Sequence, residues 1–93
     1  MNAGQIAVSA RIINKKGLHA RASAKFVEMV ARFQAEVTVS KGENSVSGRS
    51  IMGLMMLGAS QGSTIDLVAE GPQAQEVIDA LLQLIAAKFY EDA

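Results

Sequence analysis

The chain opens with alternating positions that are typical of a half-buried β-strand. Ile6, Val8, Ala10 and Ile12 recur at every second residue, which places their side chains on one face. The run 14–17 (NKKG) then interrupts this alternation with polar residues and a glycine, as a loop does. The pattern therefore predicts a first strand near residues 6–12 that is followed by a loop.

A helix is predicted next, because apolar residues then recur three or four positions apart. His19 and Ala20 fall in its predicted first turn. Backbone N–H groups in a first turn have no acceptor within the helix, and the helix dipole adds partial positive charge there. An anion attached to His19 would therefore be stabilised. The residues with helical spacing are Ala22, Phe26, Met29, Val30 and Phe33.

Three further elements follow in the middle of the chain. Residues 35–41 predict a strand, and the turn at 42–44 leads into a short strand that carries Val46. Ser50 precedes a short apolar helix over 51–57, which Gly58 ends. In this helix, Leu54 and Leu57 are the expected core residues. A fourth strand is predicted over 64–69.

The chain closes with an amphipathic pattern that begins at Gln73 and predicts a last helix. The element order is then βαββαβα. Such an order forms a four-stranded antiparallel sheet with three helices gathered on one face, an α+β open-faced sandwich. The apolar residues of the closing helix are Val77, Ile78, Leu81, Leu82, Ile85 and Phe89.

Composition narrows the class of protein. With 93 residues, the chain has room for a single domain over 1–93. Nine basic and nine acidic residues cancel, and only four aromatic residues occur, which argues against nucleic-acid binding. A chain with no cysteine and one histidine offers no disulfide and no zinc site, so we expect neither metal nor cofactor. No segment predicts a membrane span or a signal peptide, and we expect a cytoplasmic location.

Candidate chemistry centres on His19, the only side chain whose unperturbed pKa is near neutrality. Arg21 follows two residues later, and a guanidinium binds phosphate or carboxylate oxygens with two parallel hydrogen bonds. A histidine before a helix is also often a plain cap or surface residue, and Arg21 alone would be a solvated arginine. Ser50, in the same way, would be a helix-capping hydroxyl worth about 1 kcal/mol.

The segments 17–21 (GLHAR) and 23–27 (SAKFV) closely resemble the active-site region of the HPr family, the histidine phosphocarriers of the bacterial phosphotransferase system. The segments 47–54 (SGRSIMGL) and 57–63 (LGASQGS) resemble the family's regulatory-serine region and the turn after it. The resemblance extends from about residue 6 to residue 89. It implies an HPr-like fold and a phosphoryl group carried on Nδ1 of His19.

The resemblance also implies roles for neighbouring residues and for partners. Arg21 and the first-turn residues Ala20, Ala22 and Ser23 would stabilise the phosphoryl group. The donor would be enzyme I, which is charged by phosphoenolpyruvate, and the acceptor an enzyme IIA domain. Ser50 would be phosphorylated by a dedicated HPr serine kinase/phosphorylase. We expect the chain to be a monomer whose docking surface consists of Ile51, Met52, Met55 and Met56.

Three positions depart from the common family pattern. Ala22 stands where many members have proline, and Glu28 and Gly53 stand where many sugar-transporting members have lysine. These departures favour hydrophobic docking and a regulatory, nitrogen-related (NPr-like) branch as an alternative to sugar uptake. An acylphosphatase-like hydrolase and an RNA-binding module are remote alternatives, because the phosphate cradle of the first and the aromatic residues of the second are not found.

Overall fold

The computed structural model describes residues 5–91 and contains the predicted order of strands and helices. The strands are β1 (Gln5–Arg11), β2 (Glu36–Lys41), β3 (Asn44–Ser47) and β4 (Thr64–Glu70). The helices are α1 (Ala20–Val30), α2 (Ile51–Met56) and α3 (Ala74–Ala86), followed by a single 3-10 turn at Lys88–Tyr90. The prediction of an α+β open-faced sandwich is confirmed.

The four strands form one antiparallel sheet in the order β1-β4-β2-β3. β4 lies in the middle, where Leu67 pairs with Val8 of β1 on one side and with Val39 of β2 on the other. Along β2 and β4, buried residues alternate with exposed ones. One face of the sheet is therefore covered by the helices, and the other faces solvent.

The core lies between this face and the three helices. Phe26 of α1 and Leu81 of α3 are fully buried there, as is Phe89 after α3. Leu54 of α2 is fully buried, and Leu57, the C-cap that follows α2, is 6% exposed, which confirms both as core residues. Helical spacing thus identified most of the buried side chains, but in α3 Leu82 is only half-buried, and Leu84, which the pattern did not include, is buried.

Three helix ends differ from the prediction, and α2 ends at Met56, one residue before the predicted end at 57. α1 ends at Val30, and Phe33 lies beyond it, in a segment where the amides of Arg32 and Phe33 bond to carbonyls three residues back. The closing helix ends at Ala86, so Phe89 belongs to the turn after it. Both phenylalanines still pack on the core. Apolar spacing reports which side chains are buried, and these two reach the core from non-helical backbone.

Two loops are joined at the edge of the sheet where β1 ends. The amide of Ile12 donates to the carbonyl of Ser63 at 2.8 Å, and the amide of Leu18 donates to the carbonyl of Ala59 at 2.9 Å. Gly17 has a φ of +62°, and a Cβ at this position would collide with the carbonyl of Ala59. Glycine is required there on both grounds. The loop before α1 is therefore fixed against the loop after α2.

Candidate functional site

His19 is the N-cap of α1, one position before the first turn in which the sequence analysis placed it. Its backbone is extended, with φ −75° and ψ −178°, and its side chain makes no capping hydrogen bond. The side chain is 27% exposed. His19 is therefore the N-cap by its backbone position alone. Its imidazole ring does not cap the helix and is partly accessible to solvent at the amino end of α1.

Three backbone N–H groups precede the first hydrogen bond of α1. That bond runs from the amide of Ser23 to the carbonyl of His19 at 2.8 Å, so the earlier amides belong to Ala20, Arg21 and Ala22. Such N–H groups are the ones that bind anions at a helix start. Ala20 and Ala22 are therefore placed as the sequence analysis expected.

Ser23 is a correction to the predicted set. Its amide is already used by the carbonyl of His19, its side chain is fully buried, and its hydroxyl donates to the carbonyl of Leu18 at 3.2 Å. The residue is the fourth of the helix, where regular hydrogen bonding begins. Ser23 consequently supports the loop and offers no donor to a ligand.

The imidazole ring has a partner that the sequence analysis missed. Nε2 of His19 hydrogen-bonds to Oε1 of Glu91, and the same oxygen accepts a bond from Nδ2 of Asn14 at 2.8 Å. Burial acts to raise the pKa of the Glu91 carboxyl. The hydrogen bonds from His19 and Asn14, with electrostatic attraction from His19 and Lys16, outweigh burial, so the pKa of this carboxyl is lowered from its ordinary value of 4.5.

A cavity of about 620 Å³ opens beside the ring. Arg21 lines it, as do Lys16 and Lys25, so three cationic residues share this cavity with the histidine. The structure thus brings Arg21 and His19 to one cavity, as expected for an anion site. A smaller cavity of about 240 Å³ lies between His19 and the residues after α2, including Gly58.

No sequence pattern indicated that Glu91 or Asn14 belongs to this site. Glu91 lies beyond the periodic part of the closing helix, and Asn14 belongs to a run of polar residues that simply marks a loop. Asn14 is nevertheless fully buried, and its amide also donates to the carbonyl of Gly17 at 2.8 Å. A polar residue buried in a loop is found only from the three-dimensional structure.

Ser50 and α2 form a second feature. Ser50 is the N-cap of α2, and its hydroxyl accepts a hydrogen bond from the amide of Gly53 at 2.9 Å, so the predicted cap is confirmed. The apolar residues on the outer side of α2 are exposed, which we call the α2 apolar patch. It consists of Ile51 (41% exposed), Met52 (69%), Met55 (41%) and Met56 (77%).

Residues 5–91 contain no group of three or more histidine, cysteine, aspartate or glutamate side chains arranged to hold a metal ion. Within the same part of the chain, every helix is too short or too polar to span a bilayer.

Comparison with known protein families identifies this arrangement. Residues 6–87 match the family model described as the PTS HPr component phosphorylation site. The chain belongs to the HPr family. The predicted resemblance is thereby confirmed over the part of the sequence that carries both motifs.

Named relatives agree with membership of the HPr family. The chain is 52% identical over 80 residues to the phosphocarrier protein HPr of Cupriavidus necator, covering 86% of this chain and 90% of that protein. It is 44% identical to the phosphocarrier protein NPr of Shewanella violacea, over 86% and 88%. The crystal structure of HPr from Thermoanaerobacter tengcongensis superimposes with a TM-score of 0.89 at 44% identity, covering 95% of this chain and 99% of the other.

Proposed function

We propose that His19 accepts a phosphoryl group on Nδ1 from phosphorylated enzyme I and passes it to a histidine of an enzyme IIA domain. The observation that carries the proposal is the position of the only histidine at the open amino end of α1, beside Arg21. Membership of a family of phosphocarriers supports it. The protein would act as a carrier and not as an enzyme, as a cytoplasmic monomer without a cofactor.

The geometry suits a loose phosphoryl transition state, in which charge spreads over three equatorial oxygens. The amides of Ala20 and Ala22 and the guanidinium of Arg21 supply donors for these oxygens. Nε2 of His19 is already bound to Glu91, whereas Nδ1 has no hydrogen-bond partner among residues 5–91. The free nitrogen is the one that the family resemblance assigns to phosphorylation.

The test is incubation of the protein with enzyme I and phosphoenolpyruvate, followed by intact-mass measurement. We expect one phosphoryl group that is labile in acid and stable in base. His19→Ala should fold and remain unlabelled, while Ser50→Ala should be labelled normally. Acid-labile phosphate on His19→Ala would contradict the proposal, and rapid hydrolysis of acyl phosphate without labelling would favour the acylphosphatase alternative.

For Ser50, we propose regulatory phosphorylation by a serine kinase/phosphorylase. The residue is half-buried at the start of α2 and adjoins the α2 apolar patch. A phosphate adds about −1.5 to −2 charges, which a helix start tolerates, so the fold should persist while docking weakens. Ser50→Asp should keep the far-UV dichroism and accept phosphate from enzyme I more slowly. Wild-type transfer and partner binding by this variant would leave Ser50 as a cap alone.

The branch that the carrier serves is a separate proposal, and the α2 apolar patch favours the nitrogen-related one. All four residues of the patch are at least 41% exposed, and neither Gly53 of α2 nor Glu28 of α1 carries a positive charge. Hydrophobic docking should make association depend weakly on ionic strength. The measurement is the transfer rate from sugar-branch and nitrogen-branch enzyme I across salt concentrations. Preference for the sugar-branch enzyme, with steep salt dependence, would assign the protein to sugar uptake.

A further inference from the structure

Within residues 5–91, Glu91 is the one side chain that hydrogen-bonds to the ring of His19. The same carboxylate oxygen also accepts from Asn14, a fully buried residue whose amide is itself anchored on the carbonyl of Gly17. Two donors therefore converge on one oxygen, and the second donor is immobilised by the loop before α1. This arrangement fixes the carboxylate relative to the ring.

The segment that carries Glu91 adopts an unusual backbone conformation. Lys88, Phe89 and Tyr90 have φ values of 56°, 55° and 59°, although none of them is glycine. The ring of Phe89 is fully buried, and Nζ of Lys25 donates to the carbonyl of Phe89 at 2.6 Å. Left-handed conformations of this kind persist where surrounding contacts enforce them, and they are common at functional sites. Here the enforced turn delivers Glu91 to the histidine.

Charge around the cavity makes Glu91 distinctive. Lys16 from the loop before α1, with Arg21 and Lys25 from α1, faces the same space, and Tyr90 completes the wall beside Glu91. Among residues 5–91, Glu91 is the only acidic residue that lines the cavity. Its second oxygen, Oε2, is buried and has no hydrogen-bond partner in the described part of the chain.

We infer that Glu91 is a positioning residue for phosphoryl transfer at His19. By accepting the hydrogen bond from Nε2–H, it holds the neutral ring in the tautomer whose lone pair is on Nδ1. The inference deepens the proposed function of His19 and rests on it. Arg21 and the first-turn amides would bind the phosphoryl oxygens, whereas Glu91 would act on the opposite side of the ring.

In the first transfer, the phosphoryl group moves from the donor protein to Nδ1 of His19. The lone pair of Nδ1 forms a bond to the phosphorus of the phosphorylated donor protein, while the bond from phosphorus to the donor breaks and its electron pair stays with the donor. Nε2 keeps its proton, so the ring becomes positively charged. The carboxylate of Glu91 stabilises that charge through a charge-assisted hydrogen bond. In the second transfer, the ring leaves as a neutral imidazole and the charge disappears.

The first arm of the test is nitrogen NMR of protein labelled with 15N-histidine, which is unambiguous because the chain has one histidine. The spectra are recorded at alkaline pH, where the ring is neutral. We expect the wild type to show the Nε2–H tautomer almost alone. Glu91→Ala should shift both resonances toward the tautomer mixture of free histidine, and Glu91→Gln should stay close to the wild type because its amide oxygen still accepts.

The second arm is single-turnover phosphotransfer from enzyme I at several donor concentrations. We expect the maximal rate to fall about 10-fold in both Glu91→Ala and Glu91→Gln, because both lose the negative charge, with the concentration dependence unchanged. The matched control is Glu70→Gln, which neutralises an exposed carboxylate at the end of β4, where β1 begins. This control should transfer at the wild-type rate.

The two arms separate the positioning role from the carrier role. If Glu91→Ala keeps both the wild-type tautomer and the wild-type maximal rate, the positioning role is wrong. A loss confined to the concentration dependence, or an equal loss in Glu70→Gln, would also contradict it. If the wild type accepts no phosphate, the proposed function fails, whereas the NMR arm still decides whether Glu91 sets the tautomer.

Discussion

The amino ends of α1 and α2 are stabilised in opposite ways. Ser50 caps α2 with its own hydroxyl, which accepts from the amide of Gly53. His19 makes no such bond, and the segment before α1 is instead held by Gly17, packed against the loop after α2, and by the buried Asn14. Because the start of α1 is held by contacts with neighbouring loops, its first backbone N–H groups stay available to a ligand. In α2, the capping hydroxyl of Ser50 already accepts a hydrogen bond from one of the first N–H groups.

The largest expected effect comes from removing the external support of α1. Gly17→Ala should destabilise the protein by about 3 kcal/mol, because the added Cβ meets the Ala59 carbonyl and φ is positive. Gly58→Ala is the matched control, since its φ is +65° and its Cβ would meet no atom of residues 5–91 within 4 Å. The control should cost about 1 kcal/mol in urea denaturation. Equal losses would show that crowding at Gly17 contributes nothing.

A second effect concerns the anion-binding capacity of the open helix start. Arg21→Ala should slow phosphotransfer by about 10- to 150-fold, because a charge-assisted hydrogen bond is worth roughly 1.5–3 kcal/mol. Arg32→Ala removes another exposed arginine, one that follows the other end of α1, and it should leave the rate unchanged. The measurement is a rapid-quench rate with enzyme I. An unchanged rate in Arg21→Ala would make Arg21 an ordinary surface residue.

A smaller effect on stability is expected when the hydroxyl that caps α2 is removed. Ser50→Ala should lower the free energy of unfolding by about 1 kcal/mol, through loss of the bond to the amide of Gly53. Ser50→Thr keeps a hydroxyl at the cap and should recover most of this loss. Chemical denaturation of the three proteins checks the prediction, and equal stability of Ser50→Ala and wild type would exclude a capping contribution.

The smallest expected effect is on the pH dependence of stability: Glu91 should stabilise the folded protein less as the pH becomes acidic. Its folded-state pKa is lowered, so its stabilisation is fully present above the ordinary value of 4.5 and is lost as the pH falls through the folded-state value. Wild type should therefore exceed Glu91→Gln in stability near neutral pH, and the two should converge in acid. Thermal unfolding across pH measures the difference. A gap that persists in strong acid would contradict this origin.

The sequence predicted the fold well because burial and apolar spacing coincide in most elements. Leu54 of α2 and Leu57, which follows it, are buried, and the methionines of α2 are exposed, as the pattern indicates. His19 and Arg21 were found because their chemistry is recognisable at a helix start. Glu91 was missed because it reaches the ring through a left-handed turn of three ordinary residues, a conformation that no spacing indicates.

Ser23 shows a different limit of sequence reasoning. Its place near the helix start suggested that its amide was a free donor. A shift of one residue in the helix start, however, determines whether that amide is free or makes the first hydrogen bond of the helix. Helix boundaries read from a pattern are uncertain by at least that much. The members of an anion site at a helix start are therefore known only when the N-cap is known.

The central place of β4 has a consequence for how the chain is made. β1 and β2 have no pairing with each other, since β4 lies between them, and β4 comes late in the sequence. Before β4 has been synthesised, β2 and β3 are the only two strands that can pair with each other, and an isolated hairpin is only marginally stable in water. The sheet therefore cannot form until residues 64–70 have left the ribosome, because β1 and β2 each pair with β4. A nascent chain that ends earlier carries His19 without the loop contacts that organise its site.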